Sequence, residues 1–151
     1  MKNKLPKNNR GFTLIELLVV IGVLTILLSI VLIAINPQRQ FQQANDVQRR
    51  SDVSAILNAI HQYAADNSGS LPSGIASSAA IVGDSGTSGQ VDLCTDLVPT
   101  YIAEMPVDPT SGDYTDCSDY YTGYSVVSTT GNRVTVSASQ EIGTDGISVT
   151  R

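Results

Sequence analysis

Between Phe12 and Ile35 lie 24 residues with a single formal charge, Glu16. A helix rises about 1.5 Å per residue, so this run is long enough to cross the hydrocarbon core of a bilayer. Lys2, Lys4, Lys7 and Arg10 precede it and no acidic residue does. That asymmetry holds the N-terminal end on the cytoplasmic side and sends everything after Pro37 across the membrane. A removed secretory signal needs a short apolar core followed by a small-residue cleavage site, whereas this run is long and ends in Ala34-Ile35-Asn36-Pro37.

Glu16 is the anomaly inside the run. An ionised carboxylate in an apolar phase costs several kcal/mol unless it is paired, which makes such a residue a functional hypothesis whose partner must be found. No Lys, Arg or His lies between Phe12 and Ile35. A purely local role also fits, because Thr13 and Glu16 spell a T-x-x-E capping box at the positive end of a helix.

Gly11-Phe12-Thr13-Leu14-Ile15-Glu16 resembles the class III signal of type IV pilins and of the pseudopilins of type II secretion. The likeness combines a short basic leader, the Gly-Phe junction, a Glu at the fifth position after it, and a membrane-length run directly behind. It is strongest over residues 1 to about 66 and only general beyond. The resemblance implies that a prepilin peptidase cuts between Gly11 and Phe12, methylates the new Phe12 amine and leaves the apolar helix as the core of a helical filament. It also implies that Glu16 pairs with the Phe12 amine of a neighbouring subunit, so that processing supplies the missing partner. A low-dielectric pair of that kind rewards correct axial register. Implied partners are further copies of the chain, the peptidase, minor pilins, a membrane assembly platform with a cytoplasmic ATPase, and the bilayer before assembly.

The fold expected is α+β and pilin-like: a long N-terminal helix, membrane half plus amphipathic soluble half, packed on a small antiparallel β-sheet. Residues 1–11 form a leader, 12–35 the transmembrane and filament-core helix, 36–67 the soluble half of the helix, and 68–151 a globular head. Gly22, Thr25 and Ser29 share one face of the membrane half, where another backbone can approach. Asn36-Pro37 should kink or melt the helix, since proline lacks a donor and crowds the preceding turn. Beyond it Phe41, Ala44, Val47, Val53, Ile56, Ile60, Tyr63 and Ala64 recur at helical spacing as a stripe for the sheet. Arg39, Arg49 and Arg50 make this helix the positive side of the molecule, either as a solvated face or as a meeting point for acidic loops of neighbouring subunits. Asn67-Ser68-Gly69 ends it, with His61 on its flank.

Residues 68–90 read as a Ser-, Gly- and Ala-rich connecting loop, and Asp92–Tyr101 as a short helix bent near Pro99. Met105–Pro109 is extended because each proline disfavours helix in the residue before it. Tyr120–Ser128 and Arg133–Ser139 alternate around Thr129-Thr130-Gly131-Asn132 as a hairpin, and Ile147–Thr150 adds a third strand. Cys94 and Cys117 are the only cysteines. A disulfide between them closes a loop of 23 residues, a constraint on the unfolded chain of roughly 3 kcal/mol.

Loss of the leader takes four of nine basic residues and leaves five against 14 acidic ones, side chains summing to −9 with no lysine. A basic nucleic-acid surface is not indicated. Asp108, Asp113, Asp116 and Asp119 sit among hydroxyls and a glycine, a stretch that reads as a solvated acidic turn or as a calcium site. Major pseudopilins bind calcium in a comparable region, although the ligands do not match one by one. No cofactor is otherwise required. With one histidine, no phosphate loop and no nucleophile elbow, nothing marks an enzyme. The functions open to the chain are a pilus subunit, a secretion pseudopilin, or a membrane-tethered extracellular binding module, and a tether needs neither the Gly11-Phe12 junction nor Glu16.

Overall fold

The structure, a computed structural model, describes residues 11–84 and 86–151. The expected leader lies outside them except for Gly11. Two compact units are present, the second comprising Phe41–Arg151. In the first, helix α1 (Leu14–Ile35) starts behind the N-cap Thr13 and buries none of its side chains. It is apolar all round, and a helix of that kind belongs in an apolar surrounding. It is long and apolar enough to cross a membrane.

The break expected at Asn36-Pro37 is present. Asn36 adopts a left-handed conformation with φ 46°, which ends α1. Asparagine tolerates that region better than most side-chain-bearing residues. Helix α2 (Pro37–Asp66) then begins on the proline itself, where a missing N–H is harmless because first-turn donors have no partner inside the helix. Ser68 (φ 56°) and Gly69 (φ 86°) turn the chain out of α2, and the Gly69 N–H closes on the Ala64 carbonyl at 2.7 Å.

The head is a six-stranded sheet ordered β2-β1-β4-β5-β6, with β3 on β4 beside the end of β5. The strands are β1 (Ala80–Gly83), β2 (Gln90–Val91), β3 (Asp113–Asp116), β4 (Asp119–Thr129), β5 (Arg133–Ala138) and β6 (Ile147–Thr150). The expected hairpin is β4–β5, with Val126 opposite Val136, turned through Gly131 and Asn132 at positive φ. The expected third strand is β6, antiparallel to β5. Alternation puts Tyr120, Thr122, Tyr124 and Val126 of β4 and Val134, Val136 and Ala138 of β5 on the covered face. Against them lie Val53, Ile56, Leu57, Ala59 and Ile60 of α2. Each buried Val, Ile or Leu among them stabilises by about 1.5–3 kcal/mol.

Four expectations need correction. The sheet is mixed, because β1 and β2 pair in parallel. Residues 68–90 are not only a connecting loop, since they contain β1 and the first residue of β2, and β1 lies between β2 and β4. The short helix is one turn, α3 (Cys94–Leu97). The apolar stripe of α2 also divides: its later members enter the core, but Phe41 is 72% and Val47 66% exposed, and Ala44 is exposed too. Steps of three residues fall short of a 3.6-residue turn by about 60° each, so the row 41-44-47 winds off the covered face.

Candidate functional site

Gly11 and Phe12 precede the helix in non-helical backbone, both exposed. Among the described residues no side chain or distant backbone atom comes within 4 Å of the position a Cβ would take on Gly11. A peptide bond in that setting is open to a protease cleft, and glycine lets the cleft approach closely. One turn later Glu16 closes a full capping box with Thr13. Its Oε2 accepts from the Thr13 N–H and the Thr13 hydroxyl, each at 2.7 Å, while the Glu16 N–H donates to Thr13 Oγ1 at 3.3 Å. Among the described residues no hydrogen bond reaches Oε1. The local reading of Glu16 therefore holds, and it leaves one carboxylate oxygen for a cation from elsewhere. Further along, the hydroxyls of Thr25 and Ser29 donate to the Ile21 and Thr25 carbonyls at 2.8 and 2.9 Å. Their polarity is spent within the helix, which keeps that face compatible with lipid or a neighbouring helix.

The polar centre of the head is Arg49, which sequence reasoning had placed on an outward positive face. It is 1% exposed. Its Nε and Nη2 donate to the two Asp108 oxygens at 2.5 and 3.1 Å, a bidentate fork. Nη1 reaches Asp46 and Glu141, each at 3.0 Å, and Nη2 also donates to Thr110 Oγ1 at 2.9 Å. One guanidinium thus ties α2 to the 108–111 turn and to the segment after β5. Asp46 in turn accepts from the N–H groups of Glu141 and Ile142 at 2.9 and 3.0 Å.

Burial alone raises the pKa of Asp108, but Arg49 and the Thr110 hydroxyl and N–H outweigh it and hold the carboxyl well below the ordinary range. Asp46 is held low in the same way, burial being outweighed by the two backbone N–H groups and Arg49. Asp52 goes the other way: burial dominates and pushes it up, despite the Tyr124 hydroxyl donating at 2.8 Å and Gln48 at 2.8 Å. The site is packed tightly. A Cβ on Gly112 would meet the Asp108 nitrogen at 2.5 Å, and one on Gly123 (φ 77°) would meet Asp108 Cβ at 2.9 Å.

The proposed calcium ligands are not brought together. Asp108 is buried and occupied by Arg49, Thr110 and Ser111. Asp113, Asp116 and Asp119 are exposed on the β3–β4 hairpin, where Asp116 accepts the Ser118 N–H and hydroxyl at 2.7 and 2.6 Å. Among the described residues no group of three acidic, His or Cys side chains is placed to hold a metal. Cys94 and Cys117 are joined, with Cα atoms 5.3 Å apart. Beside them the Tyr120 hydroxyl donates to Asp92 at 2.8 Å and accepts from the N–H groups of Leu93 and Cys94 at 3.0 and 3.2 Å, fastening the start of β4 to α3.

Asp46, Asp52, Tyr124 and Glu141 escaped sequence reasoning. For Arg49 a signal was present: it lies four residues before Val53 and seven before Ile56, in phase with the core face of α2.

No curated protein and no solved structure matches the chain. A family match covers the N-terminal segment in which the exposed junction and the capping box lie. Residues 6–32 match the family model of the prokaryotic N-terminal methylation motif, the class III prepilin signal of type IV pilins and pseudopilins.

Proposed function

We propose that the chain is a structural subunit of a type IV pilus-like filament. Prepilin peptidase cuts between Gly11 and Phe12 and methylates Phe12, residues 12–35 stay in the membrane, and residues 36–151 stand outside the cytoplasm. Assembly then moves α1 from lipid into a bundle of copies, driven by a membrane platform and its ATPase. The observation that carries this reading is the methylation motif over residues 6–32, with an exposed Gly11-Phe12 junction at its heart. Two features support it. Apart from Glu16, Thr25 and Ser29, α1 is built of apolar residues and glycine and is uncovered among the described residues, and among those residues Glu16 keeps one oxygen unbonded for the amine that cleavage creates.

The test is a comparison of native chain with Gly11→Leu in cells that contain the peptidase. The native chain should lose residues 1–11, while Gly11→Leu stays at full length in the membrane and yields no sheared filaments. A native chain that keeps its leader, or a Gly11→Leu chain processed at the native rate, overturns the reading. Processed native chain confined to the membrane would place it as a secretion pseudopilin instead.

A further inference from the structure

Arg49 and Arg50 are neighbours in sequence with opposite fates. Arg49 is enclosed by carboxylates of its own chain. Arg50 is exposed, and among the described residues no hydrogen bond or ion pair reaches its guanidinium. It continues the row Phe41, Ala44, Val47, each member three residues after the last and all exposed. Such a row forms a ridge on a helix, the element that packs into the groove of a partner. Beside its upper end, Gln43, Val47, Arg50, Gln140 and Ile142 line a groove of about 390 Å³. The one other side chain lining it, Asp46, already has its oxygens bonded to Arg49 and two backbone N–H groups.

Elsewhere on the head, the β3–β4 hairpin presents Asp113, Asp116 and Asp119, all exposed, with no Arg or Lys between residues 109 and 132. The Cys94–Cys117 bridge and the Tyr120 bonds hold it in shape, so docking it requires little ordering. Half-buried Tyr121 stands opposite Asp113 in register and offers apolar area next to the charges.

We propose that the Phe41–Ala44–Val47–Arg50 ridge receives the β3–β4 hairpin of a second copy of this chain. Arg50 takes a hairpin carboxylate, and the three apolar side chains leave water against the hairpin and Tyr121. Charge selects the occupant. A chain whose processed side chains sum to −9 repels its own copies wherever two acidic surfaces meet, and Arg50 is an unpaired cation set directly on an uncovered apolar ridge. The two surfaces differ, so the contact is heterologous. Each copy uses its ridge on one neighbour and its hairpin on another, and repetition extends an open helical array. This inference rests on the filament reading above.

The test uses the full chain in cells that assemble the native protein. Arg50→Asp, and separately the triple reversal Asp113→Arg, Asp116→Arg and Asp119→Arg, should each cut sheared filament by about tenfold with processing intact. Combining the four should restore yield to within about threefold of native, because opposite charges meet again. Independently, Val47→p-benzoylphenylalanine in the otherwise native chain should photocrosslink to residues 113–121 of a second copy. Native yield from both reversed chains, or crosslinks from position 47 confined to lipid or to other residues, overturns the contact and leaves the filament reading standing. Absence of filament from the native chain overturns both.

Discussion

The two helices that follow one another in this chain solve the same problem in opposite ways. Helix α1 has 22 residues and buries none of them, whereas α2 buries nine of 30. The apolar side chains of α1 stay exposed among the described residues, and its hydroxyls are turned onto its own carbonyls. Those of α2 have a sheet of their own to cover, and the polar groups among them are spent on Asp108, Glu141 and Tyr124. Folding therefore completes the head, while α1 keeps its apolar surface uncovered among the described residues. On the filament reading, the contacts of α1 and of the exposed ridge at the start of α2 should govern assembly, and those of the covered part of α2 stability.

The largest break in that division is expected from Glu16→Leu. It removes the one charge of α1 and should lower sheared filament by at least about tenfold, with processing, insertion and the melting of the head unchanged. Equal filament yield would dissolve the distinction. The converse is Arg49→Leu, which leaves the buried carboxylates of Asp108 and Asp46 without their cation. Unfolding of the processed chain in detergent should lose about 3–5 kcal/mol, and a loss under 1 kcal/mol would show that Arg49 does not hold the head together. Replacing Cys94 and Cys117 with Ser should cost about 2–4 kcal/mol in the same measurement.

Acid sharpens the comparison further. Asp108 and Asp46 have folded pKa values below the unfolded reference of about 3.9. Their stabilisation is full above that value and is lost as pH falls through the folded pKa. Asp52 is raised and acts with the opposite sign, its share being lost as pH rises through its folded pKa. With Asp116 also lowered, by the Ser118 hydroxyl and N–H, three lowered carboxylates against one raised predict a head that loses stability below about pH 4. Asp108→Asn should flatten the drop, and an unaltered acid profile would contradict the assignment. The smallest effect belongs to Thr13→Ala, which opens the capping box at a local cost of about 1 kcal/mol, read as faster amide exchange in the first turn of α1.

Much of this arrangement is legible in the sequence because it rests on long or periodic signals. The apolar run, the Asn36-Pro37 break, the β4–β5 hairpin and the bounds of β6 all follow from period, turn chemistry or proline. What is not legible depends on tertiary pairing. Strand β2 has two residues and β1 four, inside a stretch rich in Ser and Gly, and β1 is specified by β4 running antiparallel beside it. Strand β3, Asp-Tyr-Thr-Asp, resembles a turn until β4 supplies its partner. The acidic run from Asp108 to Asp119 looks like one cluster, yet a buried arginine withdraws Asp108 and leaves the rest on a hairpin. Two adjacent arginines look alike in sequence, and only helical phase against Val53, Ile56 and Ile60 separates the enclosed one from the exposed one.

The most direct test of the account is the intact mass of the chain in filaments sheared from the cell surface, beside that of the washed membranes. The account predicts sheared filament built of chains that begin at a methylated Phe12 and retain the Cys94–Cys117 bridge. Chains still beginning at Met1 in cells that contain the peptidase would contradict it.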